Sequence, residues 1–205
     1  MLATLGLGFV LGLKHATEAD HVAAVSAIVS DRRSIAQSAV VGGLWGLGHT
    51  ASLLFAGFFV VGLGIAIPER VAILFELVVA LMIIFLGARL LRMRLPSHTH
   101  RLSGSRPLLV GIVHGLAGSA ALTLLVLAEV VRHGSVLLGF AYLLIFGAGS
   151  IGGMLLMSTL ISLPFSLGLR FFQRSLFPLR VLTGILSTSF GVFYAWRMVE
   201  KLAVL

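Results

Sequence analysis

Eight residues, Lys14–His21, read Lys-His-Ala-Thr-Glu-Ala-Asp-His and hold one cation, two imidazoles and two carboxylates. Largely apolar runs flank them, Leu2–Leu13 before and Val22–Val29 after. Ionisable groups in such a setting are costly unless they pair with one another or bind something, so the cluster is a candidate functional site. On an ideal helix, taking His15 as zero, Glu18 falls at about 300°, His21 at about 240° and Lys14 at about 260°. His15, Glu18 and His21 therefore share a face. Asp20, at about 140°, points away unless the helix is distorted or Asp20 has another job, such as supporting a ligand.

Imidazole with carboxylate suits first-row ions such as Ni²⁺, Co²⁺ and Zn²⁺ better than Ca²⁺ or Mg²⁺. A second reading keeps the cluster purely structural, with Lys14–Glu18 as an i,i+4 pair and the histidines hydrogen-bonded between helices. Two further histidines lie in Gly-rich apolar segments, His49 in Gly46-Leu-Gly-His-Thr50 and His114 in His-Gly-Leu-Ala-Gly-Ser119. The expected ion ligands are His15, His21 and His49, with Asp20 and Glu18 supplying charge; His114 and Glu76 are lower-ranked candidates. Glu129 reads as an interfacial partner of Arg132, and His98 and His100 as part of a solvated loop.

Elements that could position these residues follow from composition. Of 205 residues, 59% are hydrophobic and only 11% charged, against about 25% charged in a soluble domain. The expectation is an all-α integral membrane protein forming one transmembrane domain over 1–205. Six hydrophobic spans are countable, at about 2–28, 37–64, 70–92, 107–131, 135–163 and 178–200, each near the ~20 residues that a bilayer requires. The longest polar stretch, 93–106, is expected to be a cytoplasmic loop. The net charge of +8 comes mostly from short loops and is read as topology, not as nucleic-acid binding. Ten Lys and Arg residues fall in loops one, three and five and four on the other side. The excess marks those loops as cytoplasmic and both termini as outside. Absence of Cys excludes thiol chemistry and disulfides. No basic segment precedes the apolar run of Met1–Leu13, so no cleavable leader is expected.

The two halves repeat in outline. Gly12-Leu-Lys-His15 matches Gly111-Ile-Val-His114, Trp45-Gly-Leu-Gly-His49 matches Phe146-Gly-Ala-Gly-Ser150, and Phe85-Leu-Gly-Ala-Arg89 matches Phe193-Tyr-Ala-Trp-Arg197. Three helices per half make the halves antiparallel, a 3+3 inverted repeat with its site at the interface, which is a common transporter plan.

His15, four residues, then Asp20-His21, followed by Val22-Ala23-Ala24 and Asp31-Arg32-Arg33, resembles the signature of the nickel/cobalt transporter family. Gly46-Leu-Gly-His49-Thr50 resembles that family's second, Gly-His-Ser/Thr element. The run Gly111–Ala121 resembles the UreH-type branch, described as urease-accessory or nickel-permease-like membrane proteins. The resemblance covers most of the chain. It implies transport of Ni²⁺ or Co²⁺ across the cytoplasmic membrane, with the ion as cargo and no permanently bound cofactor. Larger members carry an additional N-terminal helix, which agrees with an outside N-terminus here. They also carry an Asp-Thr-Ala-Thr-Glu element, whose counterpart here, Phe146–Met154, has no acid, so ligation rests more on the first half.

An alternative is a membrane accessory protein that delivers nickel to metalloenzyme maturation proteins without transporting it. Intramembrane metalloenzyme and bis-His haem readings rank below both. The Glu18–His21 spacing is not that of His-Glu-x-x-His, and no enzyme activity is expected. No nucleotide-binding motif is present, so coupling to ATP would need another protein.

Overall fold

The first predicted span is two helices. In a computed structural model, which describes residues 2–30, 32, 34–63, 67–92, 105–117, 131, 135–171 and 176–205, α1 runs over Leu2–His15 and α2 over Ala19–Val29. Between them Thr17 N–H donates to Lys14 O at 2.9 Å and Glu18 N–H to His15 O at 3.1 Å, the i→i+3 pattern of a tightened last turn. Thr17 Oγ1 also donates to Lys14 O, at 2.6 Å, so a side chain competes for the carbonyl that would continue the helix. Glu18 is extended (φ −64°, ψ 149°) and α2 starts after it. Charge order favours the break: Lys14 and His15 close α1 and Asp20 opens α2, each complementing the dipole of its own helix end.

α3 spans Ile35–Gly57, capped by Ser34 Oγ accepting from Gln37 N–H, and its end widens into a π-turn at Phe58–Gly62. α4 is Glu69–Arg92 and α5 is Ser105–Gly115. α6 is Val136–Phe171, which carries Pro164 in its interior, and α7 is Leu176–Val204. The described elements are thus all helices, and α6 and α7 run beyond the predicted 135–163 and 178–200. Of the expected loop 93–106, Ser105 and Arg106 belong to α5 and 93–104 lie outside the described residues. Most of 118–131 lies outside them too, with Glu129, as do Arg132, His98 and His100.

Three described segments are long and apolar enough to cross a membrane: Ile35–Val60, Glu69–Arg92 and Val136–Ser166. Leu2–His15 and Ala19–Val29 are apolar but shorter. Large apolar side chains stay exposed along these helices, among them Leu7, Phe55, Leu81, Phe85 and Leu144, as expected of surfaces that face lipid.

α1 packs on α6, α3 on both α5 and α6, and α4 on α7, while α2 lies against α4, α6 and α7. Small residues allow backbones to touch, and the close approaches come in matched sets. A Cβ at Gly12 would collide with Phe146 O and lie 2.9 Å from Ser150 N; one at Gly111 would collide with Trp45 O and lie 2.9 Å from His49 N. A Cβ at Gly149 would meet Phe9 O and lie 3.2 Å from Leu13 N; one at Gly48 would meet Leu108 O and lie 3.1 Å from Ile112 N. In the α4–α7 pair, Gly87 faces Thr188 N (2.7 Å) and Gly184 O (3.0 Å), while Gly191 faces Ile84 N (2.9 Å) and Ala80 O (3.1 Å). α5 also ends as α1 does. Ala117 N–H donates to His114 O at 3.1 Å, as Glu18 N–H does to His15 O at 3.1 Å.

Candidate metal centre

Four imidazoles converge from four helices. His15 is the last residue of α1, His21 sits in the first turns of α2, His49 is in α3 and His114 closes α5. All four are buried, His49 and His114 completely. His15 Nε2 and His49 Nε2 stand 3.0 Å apart. The His21 ring lies 4.5 Å from that of His15, 5.3 Å from that of His49 and 4.0 Å from that of His114, between centroids.

Asp20 reaches this cluster because of the break in the first span. On a continuous helix it would turn away; with α2 restarting at Ala19, it faces inward beside His21. Its Oδ1 accepts from the His21 backbone N–H at 2.9 Å and lies 3.1 Å from His21 Nδ1. Its Oδ2 lies 2.8 Å from His114 Nε2. A carboxylate only accepts, so both imidazoles donate to it, and the tautomers follow. His21 carries its proton on Nδ1 and His114 on Nε2. That leaves bare nitrogens, His21 Nε2 and His114 Nδ1, buried with no hydrogen-bond partner.

Two groups of side chains have ligating atoms close enough to share an ion, within 4.8 Å of one another: His15, His21 and His49; and Asp20, His21 and His114. The expected ligands His15, His21, His49 and Asp20 are thus brought together around His21, and His114, ranked lower from sequence, joins the second group. Glu18 does not join either group. It lies at the edge, with its side chain 41% exposed and its Oε2 3.1 Å from His15 Nδ1, so it pairs with His15, not with Lys14 four residues before it. Glu76 is elsewhere, 3.7 Å from Lys201 Nζ.

Sequence reasoning passed over Trp45. Its buried ring stacks on His21 (centroids 5.6 Å, planes 17° apart) and lies 5.5 Å from His114. An aromatic residue one turn before His49 was the available signal. Trp45 Nε1 also has no hydrogen-bond partner. Phe146 covers the other side, 5.6 Å from His15 between ring centroids. The cluster is thus buried, aromatic-walled and rich in nitrogen donors with one carboxylate, a set suited to a borderline divalent ion. The carboxylate–histidine contacts are of the kind that orient metal-bound imidazoles.

The chain is 36% identical over 215 aligned residues to the urease accessory protein UreH of Bacillus sp. (strain TB-90), covering 97% of this chain and 92% of that one. No family model matches the chain, and no solved structure does.

Proposed function

Since the chain belongs to the UreH-type, nickel/cobalt permease-like family, we propose that it carries Ni²⁺, and Co²⁺ as a second cargo, across the cytoplasmic membrane through a site built on His15, His21 and His49. The observation that carries this reading is the 3.0 Å approach of His15 Nε2 to His49 Nε2 beside the unpartnered His21 Nε2. Without an ion the 3.0 Å contact is a hydrogen bond between the two imidazoles, and an ion bound by both nitrogens takes the place of its proton. Asp20 supplies negative charge that offsets part of the cost of bringing a dication into a low-dielectric bundle.

In this reading the chain makes six spans, the first of them the broken α1–α2 pair, with both termini outside. The halves form a 3+3 inverted repeat. The matched glycine contacts support it: Gly12 with Phe146 and Gly111 with Trp45 are one contact repeated with the halves exchanged, as are Gly149 with Phe9 and Gly48 with Leu108. The same contacts relate α4 to α7 through Gly87 and Gly191, 104 residues apart, a shorter spacing than the 108 of the Phe85/Phe193 match.

A second reading draws on the relative's printed role as a urease accessory protein: the chain holds nickel at the same site and passes it to metalloenzyme maturation proteins. Uptake of ⁶³Ni²⁺ into proteoliposomes separates the two. Transport predicts flux that His21→Ala and His49→Ala abolish. Equal flux in all three proteins sinks the site, and nickel binding without wild-type flux favours delivery.

A further inference from the structure

The two candidate ligand groups are not independent, because both contain His21. One uses His15 and His49, the other Asp20 and His114. The geometry points to two alternative ion positions joined by His21, occupied one at a time, so that the ion crosses the centre by passing from the His15/His21/His49 position to the Asp20/His21/His114 position. This rests on the transport reading above and adds a second position and an order of events to it.

Three observations carry the inference. First, the two nitrogens of His21 stand in different surroundings. Nδ1 faces Asp20 at 3.1 Å, and Nε2 is buried and unpartnered. With the proton on Nδ1, Nε2 is free to bind at the first position. An ion at the second needs the lone pair of Nδ1, and the proton must then sit on Nε2. His114 changes in the same way, from Nε2–H, donated to Asp20 at 2.8 Å, to Nδ1–H. Each imidazole keeps one proton and only the nitrogen that holds it changes, so no proton is gained or lost. One tautomer of His21 thus arms one position and disarms the other.

Second, the shared residue forces proximity. The His21 ring lies 4.5 Å from His15 and 4.0 Å from His114 between centroids, so two dications would stand close together in a site with one carboxylate. Coulomb repulsion at such range in low dielectric disfavours double occupancy. Third, each position owns one of the histidines at the two matched helix ends: His15 just before the α1 break, and His114 at the end of α5, with the same 3.1 Å i→i+3 hydrogen bond after each. Motion at either end would open one position while leaving the other formed, which is what alternating access from two sides requires.

The test uses full-length protein with ⁶³Ni²⁺, equilibrium dialysis in detergent and flux in proteoliposomes, on wild type, His49→Asn, His114→Asn and the double variant. Wild type is expected to bind one ion per chain. Each single variant should still bind one ion, weakened by about tenfold to hundredfold, yet lose flux; the double variant should lose binding. X-ray absorption at the nickel edge should report a carboxylate oxygen beside imidazoles in His49→Asn and imidazole ligation alone in His114→Asn. Two ions per wild-type chain overturn the exclusive occupancy. Unchanged binding and flux in His114→Asn overturn the second position while leaving the transport reading intact. Loss of all binding in one single variant reduces the centre to one position. Wild type that binds no nickel overturns both readings together.

Discussion

Asp20 and His114 are 94 residues apart in sequence and 2.8 Å apart in space, Oδ2 to Nε2, at the buried meeting point of α2 and α5. The same carboxylate holds His21 through Oδ1. One acid thereby fixes the orientation of two imidazoles. Hydrogen bonds to a charged group are each worth about 1.5–3 kcal/mol, and a buried donor left without its acceptor costs about 1–3 kcal/mol.

Asp20→Asn keeps the size of the side chain and removes its charge, so the two imidazoles lose their common anionic acceptor. Nickel affinity is expected to fall by about tenfold to hundredfold, the usual penalty for removing a partner that orients a metal-bound histidine. Titration calorimetry measures this, with helical circular dichroism and a monodisperse elution profile as checks on folding. Wild-type affinity in Asp20→Asn would show that the carboxylate neither orients nor neutralises the centre.

Trp45 supplies an optical report from inside the bundle. Its ring stacks on His21 and lies within 5.6 Å of both His21 and His114, whereas the other tryptophan, Trp196, is exposed on α7. Bound Ni²⁺ should quench Trp45 and leave Trp196 bright. Saturable quenching is therefore expected in wild type and in Trp196→Phe, and its loss in Trp45→Phe. Quenching that follows Trp196 instead would place the ion away from the four histidines.

Much of this arrangement was legible in the sequence. Apolar runs of helical length gave the helices, and the ionisable residues inside them gave His15, His21 and His49. The ideal-helix argument turned Asp20 away unless the helix is distorted, and the break at residues 16–18 is that distortion. The stop signal was present in the order of charges, Lys14-His15 before the break and Asp20 after it, with Thr17 able to bond back to Lys14 O. The weight of His114 was not legible, because a lone histidine among small residues carries no sign of the acid that faces it from another helix. Trp45 was missed for a related reason: an aromatic residue in an apolar helix reads as packing until its neighbours are known. Glu76 was a candidate only because its segment is apolar, and its contact with Lys201 comes from the end of a helix far along the chain.

Nickel binding should weaken as pH falls. An ion ligand must be a neutral imidazole, so acid competes directly with the metal, and each histidine in the set adds one competing proton. The drop should come once the imidazoles take up protons, with the logarithm falling by more than one unit per pH unit where two or more histidines compete. Dialysis with ⁶³Ni²⁺ over a pH series checks the slope. A slope of one or less would mean that a single histidine binds the ion, contrary to a site shared by α1, α2 and α3.

The glycine contacts make a prediction about the frame that holds the site. A methyl group at Gly12 or Gly111 would be driven into a backbone carbonyl, Phe146 O or Trp45 O, and a carbonyl cannot swing aside as a side-chain tip can. Gly12→Ala and Gly111→Ala must therefore push α1 from α6 and α3 from α5. Overpacking of this kind costs about 1–3 kcal/mol, and it also moves His15 relative to His49. At Gly6 and Gly43 an added Cβ meets nothing within 4 Å, so alanine there should be neutral or mildly stabilising, by up to about 1 kcal/mol from helix propensity. Thermal unfolding in detergent, followed by the loss of monodisperse protein, should rank Gly43→Ala at or above wild type, with Gly12→Ala and Gly111→Ala below it. In the inverted-repeat reading proposed above these are one contact with the halves exchanged, so the two losses should be of similar size. A stable Gly12→Ala beside a destroyed Gly111→Ala would argue that the halves do not share one packing plan.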